Sequence, residues 1–280
     1  MGGKNLLLVT SLLAQLTTFC SSLRFSPNPS QNSPLYAFRT YFFLLPSYLS
    51  LATLKSALSL LPSYLTSTIS LFHCHRLLLI LLTSLSLTAF TRSLTPHLPP
   101  PYHLLTFILT LTSSGFHLVS PSFLPSSLAL TLTMLSASYH LQTSNKKAIA
   151  VGMAATTCLA WPFVSVLYIP LGLSTVIKSY ASGGALSALK SVAFAVCAFT
   201  VMTCATAIVD RYYYGLWTVP NLNIFVYNAL GGPGALEEGK TGDELYGVEP
   251  ASYYVKNLVL NFGTTAIFVL LLPVVATVKR

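Results

Sequence analysis

The first 209 residues contain no aspartate or glutamate, and the first carboxylate of the chain is Asp210. A soluble domain draws about a quarter of its residues from the charged types, whereas this chain of 280 residues is 8% charged and 53% hydrophobic. Its mean hydropathy is +0.68. A water-facing surface cannot be assembled from that inventory, so the chain reads as a polytopic membrane protein. Backbone groups in lipid must satisfy one another within the segment, which makes the expected class all-α. The net charge of +9 does not point to nucleic acid. The bases stand singly between apolar runs and read as topology signals on short loops.

Residues 6–19 form an apolar run after Lys4 that resembles a signal sequence or signal anchor, followed by a Ser/Pro/Asn-rich loop at 21–34. Together 1–32 make an atypical N-terminal segment. Apolar segments then cover 36–54, 58–91, 103–119, 122–142, 148–177, 186–209 and 257–278. The segment 148–177 is too long for one span, and the pairs Trp161-Pro162 and Ile169-Pro170 interrupt it. Two shorter helices with a bend near Trp161 are expected, and a similar bend at "SPSFLPSS", 120–127. With both bends on one side, Arg92, Lys146, Lys147, Lys178, Lys190 and the terminal Lys279 and Arg280 share the other, which is the cytosol by the positive-inside rule.

That reading makes 210–256 a luminal loop. It holds all six acids, Asp210, Glu237, Glu238, Asp243, Glu244 and Glu249, against Arg211, Lys240 and Lys256. The loop therefore carries −3 while the rest of the chain carries +12. Tyr212, Tyr213, Tyr214, Trp217, Tyr227, Tyr246, Tyr253 and Tyr254 crowd into it beside Asn221, Asn223 and Asn228. An aromatic belt at headgroup level accounts for the rings; a platform of phenols, amides and carboxylates that reads sugar hydroxyls accounts for both rings and asparagines. The run "GGPGALEEGKTGDELYG" is a flexible loop and not a phosphate cradle. Cys20, Cys74, Cys158, Cys197 and Cys204 form no CxxC pair, and His73 and His75 flank Cys74 on different helix faces, so no metal site is expected.

"IVDRYYYGLWTVPNLNIFVYN" (208–228), followed by "LYGVEPASYYVKNLVLNF" (245–262), resembles the last large luminal loop of the dolichyl-phosphate-mannose-dependent alpha-1,2-mannosyltransferases of lipid-linked oligosaccharide assembly. These belong to glycosyltransferase family 22 and have the GT-C fold. "SPLYAFRTYFFLL" (33–45), "FLPSSLALTLTML" (123–135) and "AIAVGMAATTCLAWPF" (148–163) agree in order and spacing. The resemblance runs from about residue 33 to 275 and is weakest between 55 and 105. It implies a GT-C-type helical bundle over 33–280, in the endoplasmic reticulum membrane with several passes. The implied reaction is inverting transfer of mannose from dolichyl phosphate mannose to a lipid-linked oligosaccharide in the lumen, in the N-glycosylation pathway. The donor, the acceptor and membrane lipid are the implied partners, with no cofactor and no nucleic acid.

The departures matter as much. The family's proposed catalytic acid stands in a first luminal loop upstream of the counterpart of "SPLYAFRTY", yet 1–32 hold no acid at all. Ala251 stands where the family usually has Trp, and Ala160 where it usually has Gly. The chain therefore reads as truncated at both ends, mis-spliced or decayed. A transfer of this kind needs a carboxylate to take the acceptor proton. Asp210 and Glu249 are the acids inside family-like motifs, and for both a structural or acceptor-orienting role is expected ahead of catalysis. Arg39 is the cation expected near the phosphate, unless it snorkels to the interface. Tyr213, Tyr214, Asn223, Tyr227, Asn228, Tyr246 and Glu249 complete the expected substrate wall, with Trp161 a packing residue at the bend. Two alternatives stand beside the enzyme: a small transporter, disfavoured because the apolar segments lack acids, and a catalytically inactive, membrane-embedded remnant of the family.

Overall fold

The computed structural model describes residues 40–58, 68–159, 162–230 and 249–263. Among them the regular structure is helical, with no strand. After a 3-10 turn at Tyr41–Leu44 come α1 (Leu45–Leu58), α2 (Thr68–Leu94), α3 (Pro100–Thr112), α4 (Ser114–Val119) and α5 (Pro125–Leu141). Then follow α6 (Asn145–Cys158), a 3-10 turn at Pro162–Val164, α7 (Ser165–Tyr214), α8 (Pro220–Leu230) and α9 (Ala251–Phe262).

Local chemistry explains most boundaries. Pro100 and Pro125 open α3 and α5 at the first helical position, where the missing N–H costs nothing. Ser113 caps α4 by accepting from the Phe116 N–H. Gly215, at φ 74°, closes α7 in the left-handed conformation and donates its N–H to the Arg211 carbonyl. The bend expected near Trp161 falls between the end of α6 at Cys158 and the turn at Pro162, and the bend expected at 120–127 falls between α4 and α5. Pro170 does not break its helix. It lies in the second turn of α7, where few upstream carbonyls are displaced by its ring.

The distribution of side chains is inverted relative to a soluble protein. Buried positions are mostly Ser, Thr, Gly and Ala, while Leu, Ile, Val and Phe line the outside of α2, α3 and α7. On α5 the buried residues include Ser127, Thr131, Ser136, Ser138 and His140. Two described helices are long and apolar enough to cross a membrane, Ile69–Leu94 at a mean hydropathy of 1.7 and Pro162–Tyr214 at 2.3. Lipid tails drive no segregation of leucine, so helix contacts fall to small and hydroxyl residues. Thr83 meets Thr131 at 3.0 Å, Ser138 donates to the Ala89 carbonyl at 3.0 Å, and Ser136 donates to the Ala148 carbonyl at 2.8 Å. Each such bond contributes on the order of 0.6 kcal/mol in a membrane setting. These contacts tie α5 between α2 and α6, and two small apolar clusters fill the remaining gaps. One joins Ala129, Ala155, Leu159 and Val164; the other joins Leu87, Phe116 and Met134.

The 50 residues of α7 are two helices rather than one. Gly183 and Gly184 leave helical geometry, and Gly184 sits at φ 66°, ψ −165°. Ser179 and Ser191 then meet at 2.9 Å between hydroxyls, although twelve residues of straight helix would separate them by about 18 Å. The two limbs, 165–182 and 185–214, therefore fold back on each other. Replacing Gly184 with alanine is expected to cost about 1–3 kcal/mol, because its backbone conformation is essentially closed to residues with a Cβ. Disulfide formation in a Ser179→Cys/Ser191→Cys pair measures the hairpin directly, and it should drop when Gly184→Ala is added; an unchanged yield would show that the reversal does not depend on glycine.

This hairpin sorts the ends of the bundle. His97 Nε2 lies 3.2 Å from the Leu141 carbonyl and Lys178 Nζ lies 3.5 Å from His140 Nε2, so the turns after α2 and α5 and the Gly183 reversal share one end. Arg92, Lys146, Lys147, Lys178 and Lys190 cluster there by position. The opposite end gathers Thr40, Phe43, Phe123, Val164 and the C-terminal turns of α7.

Candidate functional site

At that opposite end the one acid of the long limb finds its partners 170 residues away. Asp210 is fully buried. Its Oδ2 accepts from the Thr40 hydroxyl at 2.8 Å and its Oδ1 from the Tyr41 N–H at 2.7 Å. Thr40 in turn accepts from the Phe42 N–H at 3.1 Å. The first N–H groups of a helical segment have no partner inside it. Here they are met by a threonine next in sequence and by a carboxylate from the far end of another helix, an N-cap supplied partly in trans. Charge-assisted bonds of this kind are the strong ones, so the turn at 41–44 is fastened to the end of α7.

Rings close over the clasp. Tyr41 stacks on Tyr213 with centroids 4.5 Å apart and meets Tyr214 edge-on at 5.0 Å. Phe43 stacks on Phe123 at 4.7 Å, which joins the 41–44 turn to the bend before α5. Arg211 lies over the Trp217 ring at 4.5 Å, on the exposed side. Past Gly215, α8 returns to the bundle, and the Asn221 amide donates to the Thr157 carbonyl at the end of α6. That carbonyl lies in the last turn of α6, where helix carbonyls run out of intrahelical donors. Asn223 donates to the Thr218 hydroxyl at 3.2 Å within its own turn. Four stretches that resembled one family in sequence, around 40–44, 123–129, 155–164 and 208–223, thus converge on one end of the bundle.

The sequence profile of the Alg9-like mannosyltransferase family matches residues 32–280. The chain belongs to that family. Among curated relatives it is 30% identical over 168 residues to "Alpha-1,2-mannosyltransferase ALG9" of Arabidopsis thaliana, covering 60% of this chain and 26% of the relative. It is 32% identical over 161 residues to "Alpha-1,2-mannosyltransferase algn-9" of Caenorhabditis elegans, covering 56% and 24%. With "Alpha-1,2-mannosyltransferase ALG9" of Mus musculus it shares 28% identity over 243 residues, 86% of this chain and 36% of the relative. The chain thus spans about a quarter to a third of the length of the relatives it matches. No solved structure matches it.

Of the residues expected at a site in this Alg9-like chain, Asp210, Tyr213 and Tyr214 come together with Tyr41. Asn223 stands half-buried on α8, while Glu249 is exposed just before α9. That helix docks through its far end, where Ser114 donates to the Asn261 carbonyl at 2.8 Å. Tyr227 and Asn228 belong to α8, but their side chains lie outside the described residues, as do Arg39, Trp161 and Tyr246. The described residues of 210–256 are partly helical: the segment begins inside α7, contains α8 and reaches into α9. Apolar content falls at Asp210, yet the helix continues because the Asp210 carboxylate is paired rather than solvated. Sequence reasoning missed Thr40, and counted Asn221 among the platform amides without seeing its docking role. Thr40 carries a faint signal, a cap residue directly before the apolar run "YFFLL". The docking role of Asn221 has no local signal, since its partner is a backbone carbonyl 64 positions away.

Proposed function

We propose that this chain forms the substrate-side part of a mannosyl-transfer site on the luminal face of the endoplasmic reticulum membrane, taking mannose from dolichyl phosphate mannose to a lipid-linked oligosaccharide. The observation that carries the reading is the Asp210 clasp. It fixes two family-like stretches, separated by most of the chain, against each other at the end of the bundle opposite Arg92, Lys146, Lys147, Lys178 and Lys190. Tyr213 and Tyr214 pack against Tyr41 at the clasp, and their phenols, with the amide of Asn223 on α8, supply the donors and acceptors that sugar hydroxyls need. Arg39, adjacent in sequence to Thr40, is the cation assigned to the donor phosphate, and Tyr227, Asn228, Tyr246 and Glu249 extend the wall. Several membrane passes and the luminal placement of 210–256 belong to the same proposal.

A second reading, a family member that binds these lipids without turning them over, is favoured by the state of Asp210 itself. A general base must reach the proton it takes, and both Asp210 oxygens are already engaged below the surface. Vesicles containing this chain decide between them when supplied with dolichyl phosphate mannose and acceptor glycolipid. Transfer above vesicles lacking the chain is the expected result of the first reading; photo-crosslinking of the donor without transfer is that of the second. Neither crosslinking nor transfer sinks both.

A further inference from the structure

Two histidines are buried among the described residues, and their surroundings differ completely. His140 has Thr175 Oγ1 at 3.2 Å from Nδ1 and Ser174 Oγ at 3.2 Å from Nε2. His75, 8% exposed, has no hydrogen-bonding partner on either ring nitrogen among the described residues. The buried threonines nearby avoid this problem by bonding a carbonyl one turn back, as Thr83 does to Leu79. An imidazole ring on a helix cannot fold back in this way. Leaving a donor and an acceptor unpaired away from water is costly, so a native structure that keeps such a group calls for a reason, and a functional role is one.

Its position says which ligand. The His75 ring meets Phe123 edge-on at 5.3 Å, and the same Phe123 ring stacks on Phe43, two residues beyond the Tyr41 held by Asp210. His75 therefore stands at the clasp end of the bundle, on the far side of one aromatic ring. The pairs His75–Phe123 and Thr83–Thr131 show α2 and α5 running side by side in one register. That register brings Ser127 one helical turn further in, and the Ser127 hydroxyl is likewise buried and without a partner among the described residues. The guest these groups suit is neutral and offers both donors and acceptors. An anion would instead be drawn to Arg76, the next residue, which turns outward over Phe72 at 5.6 Å. A cation would find no carboxylate on α2 or α5.

We propose that His75, with Ser127 behind it, is a carbohydrate-binding subsite that hydrogen-bonds neighbouring hydroxyls of the transferred or accepting sugar. The assignment rests on the mannosyl-transfer reading and adds a residue outside the stretches that carry the family resemblance. A neutral imidazole gives one N–H and takes one O–H, which is the complement of a vicinal diol. The cost of the unpaired ring in the empty protein is then recovered only when sugar is bound.

The test uses the full chain in detergent micelles with a short-chain dolichyl phosphate mannose analogue, the same lipid phosphate without sugar, and the variants His75→Phe and His75→Gln. In the absence of lipid, His75→Phe should melt at the wild-type temperature or higher, because it removes the unpaired polar group without opening a cavity. Its affinity for the mannosylated lipid should nonetheless fall about tenfold or more, while its affinity for the bare lipid phosphate stays at the wild-type value. His75→Gln, which keeps a donor and an acceptor, should recover part of the loss even if the phenylalanine variant folds poorly. Equal binding of the mannosylated lipid by wild type and both variants overturns the subsite and leaves mannosyl transfer standing. A wild-type chain that binds neither lipid overturns the transfer reading and the subsite with it.

Discussion

Asp210→Ala is expected to destabilise the chain by about 3 kcal/mol or more, since it removes a buried carboxylate that accepts from the Thr40 hydroxyl and the Tyr41 N–H. The Tyr41 N–H would lose its bond of 2.7 Å to Oδ1, and the Thr40 hydroxyl its bond of 2.8 Å to Oδ2. Asp210→Asn should cost roughly half as much. Its amide oxygen can still take the Tyr41 N–H, but its NH2 cannot accept from Thr40. Thr40→Val removes the same hydroxyl bond from the other side, so the two changes should be less than additive, with a coupling of about 1 kcal/mol. Thermal melts of the four proteins in one detergent supply the cycle. Strict additivity would mean that the bond of 2.8 Å contributes nothing measurable. If transfer is detected, Asp210→Asn should lower it by about a hundredfold, because a shift of about 1 Å in a positioning element is enough for that. A drop in turnover with unchanged donor affinity would instead make Asp210 the base and not a clasp.

Labelling of single cysteines should be all-or-none across the bundle. In sealed, cytosol-out vesicles, with the native cysteines replaced by serine or alanine, Lys147→Cys should react with a membrane-impermeant maleimide and Trp217→Cys only after permeabilisation. Trp217 is 62% exposed, and Lys147, at the start of α6, is exposed as well, so access to the side chain is not the variable. The expectation follows from the two bends and the Gly183 reversal, which send Arg92, Lys146, Lys147, Lys178 and Lys190 to one end and Asp210 to the other. A basic end retained in the cytosol is the usual arrangement. Reaction of Trp217→Cys from the outside of intact vesicles, with Lys147→Cys protected, would invert the chain and remove 210–223 from the lumen.

Much of this was written into the sequence, for reasons that depend on composition and local order alone. A chain without acids over its first 209 residues has no means of building a wet surface, and lipid permits helices where it permits few other forms. The prolines at 100, 125 and 162 and the glycines at 183, 184 and 215 mark ends and turns, because each restricts or frees φ at its own position. The resemblance carried by 33–45 and 208–228 needed no coordinates either. What only the tertiary structure decided is pairing. Asp210 faces Thr40 and Tyr41 rather than its neighbour Arg211, whose guanidinium goes to Trp217. Pro170 sits quietly inside a helix that sequence reading would have broken. Of two similar histidines, one is bonded at both nitrogens and the other at neither among the described residues. Hydrogen bonds are short-ranged and directional, so which donor meets which acceptor is set by how helices far apart in sequence pack, and no local signal records it.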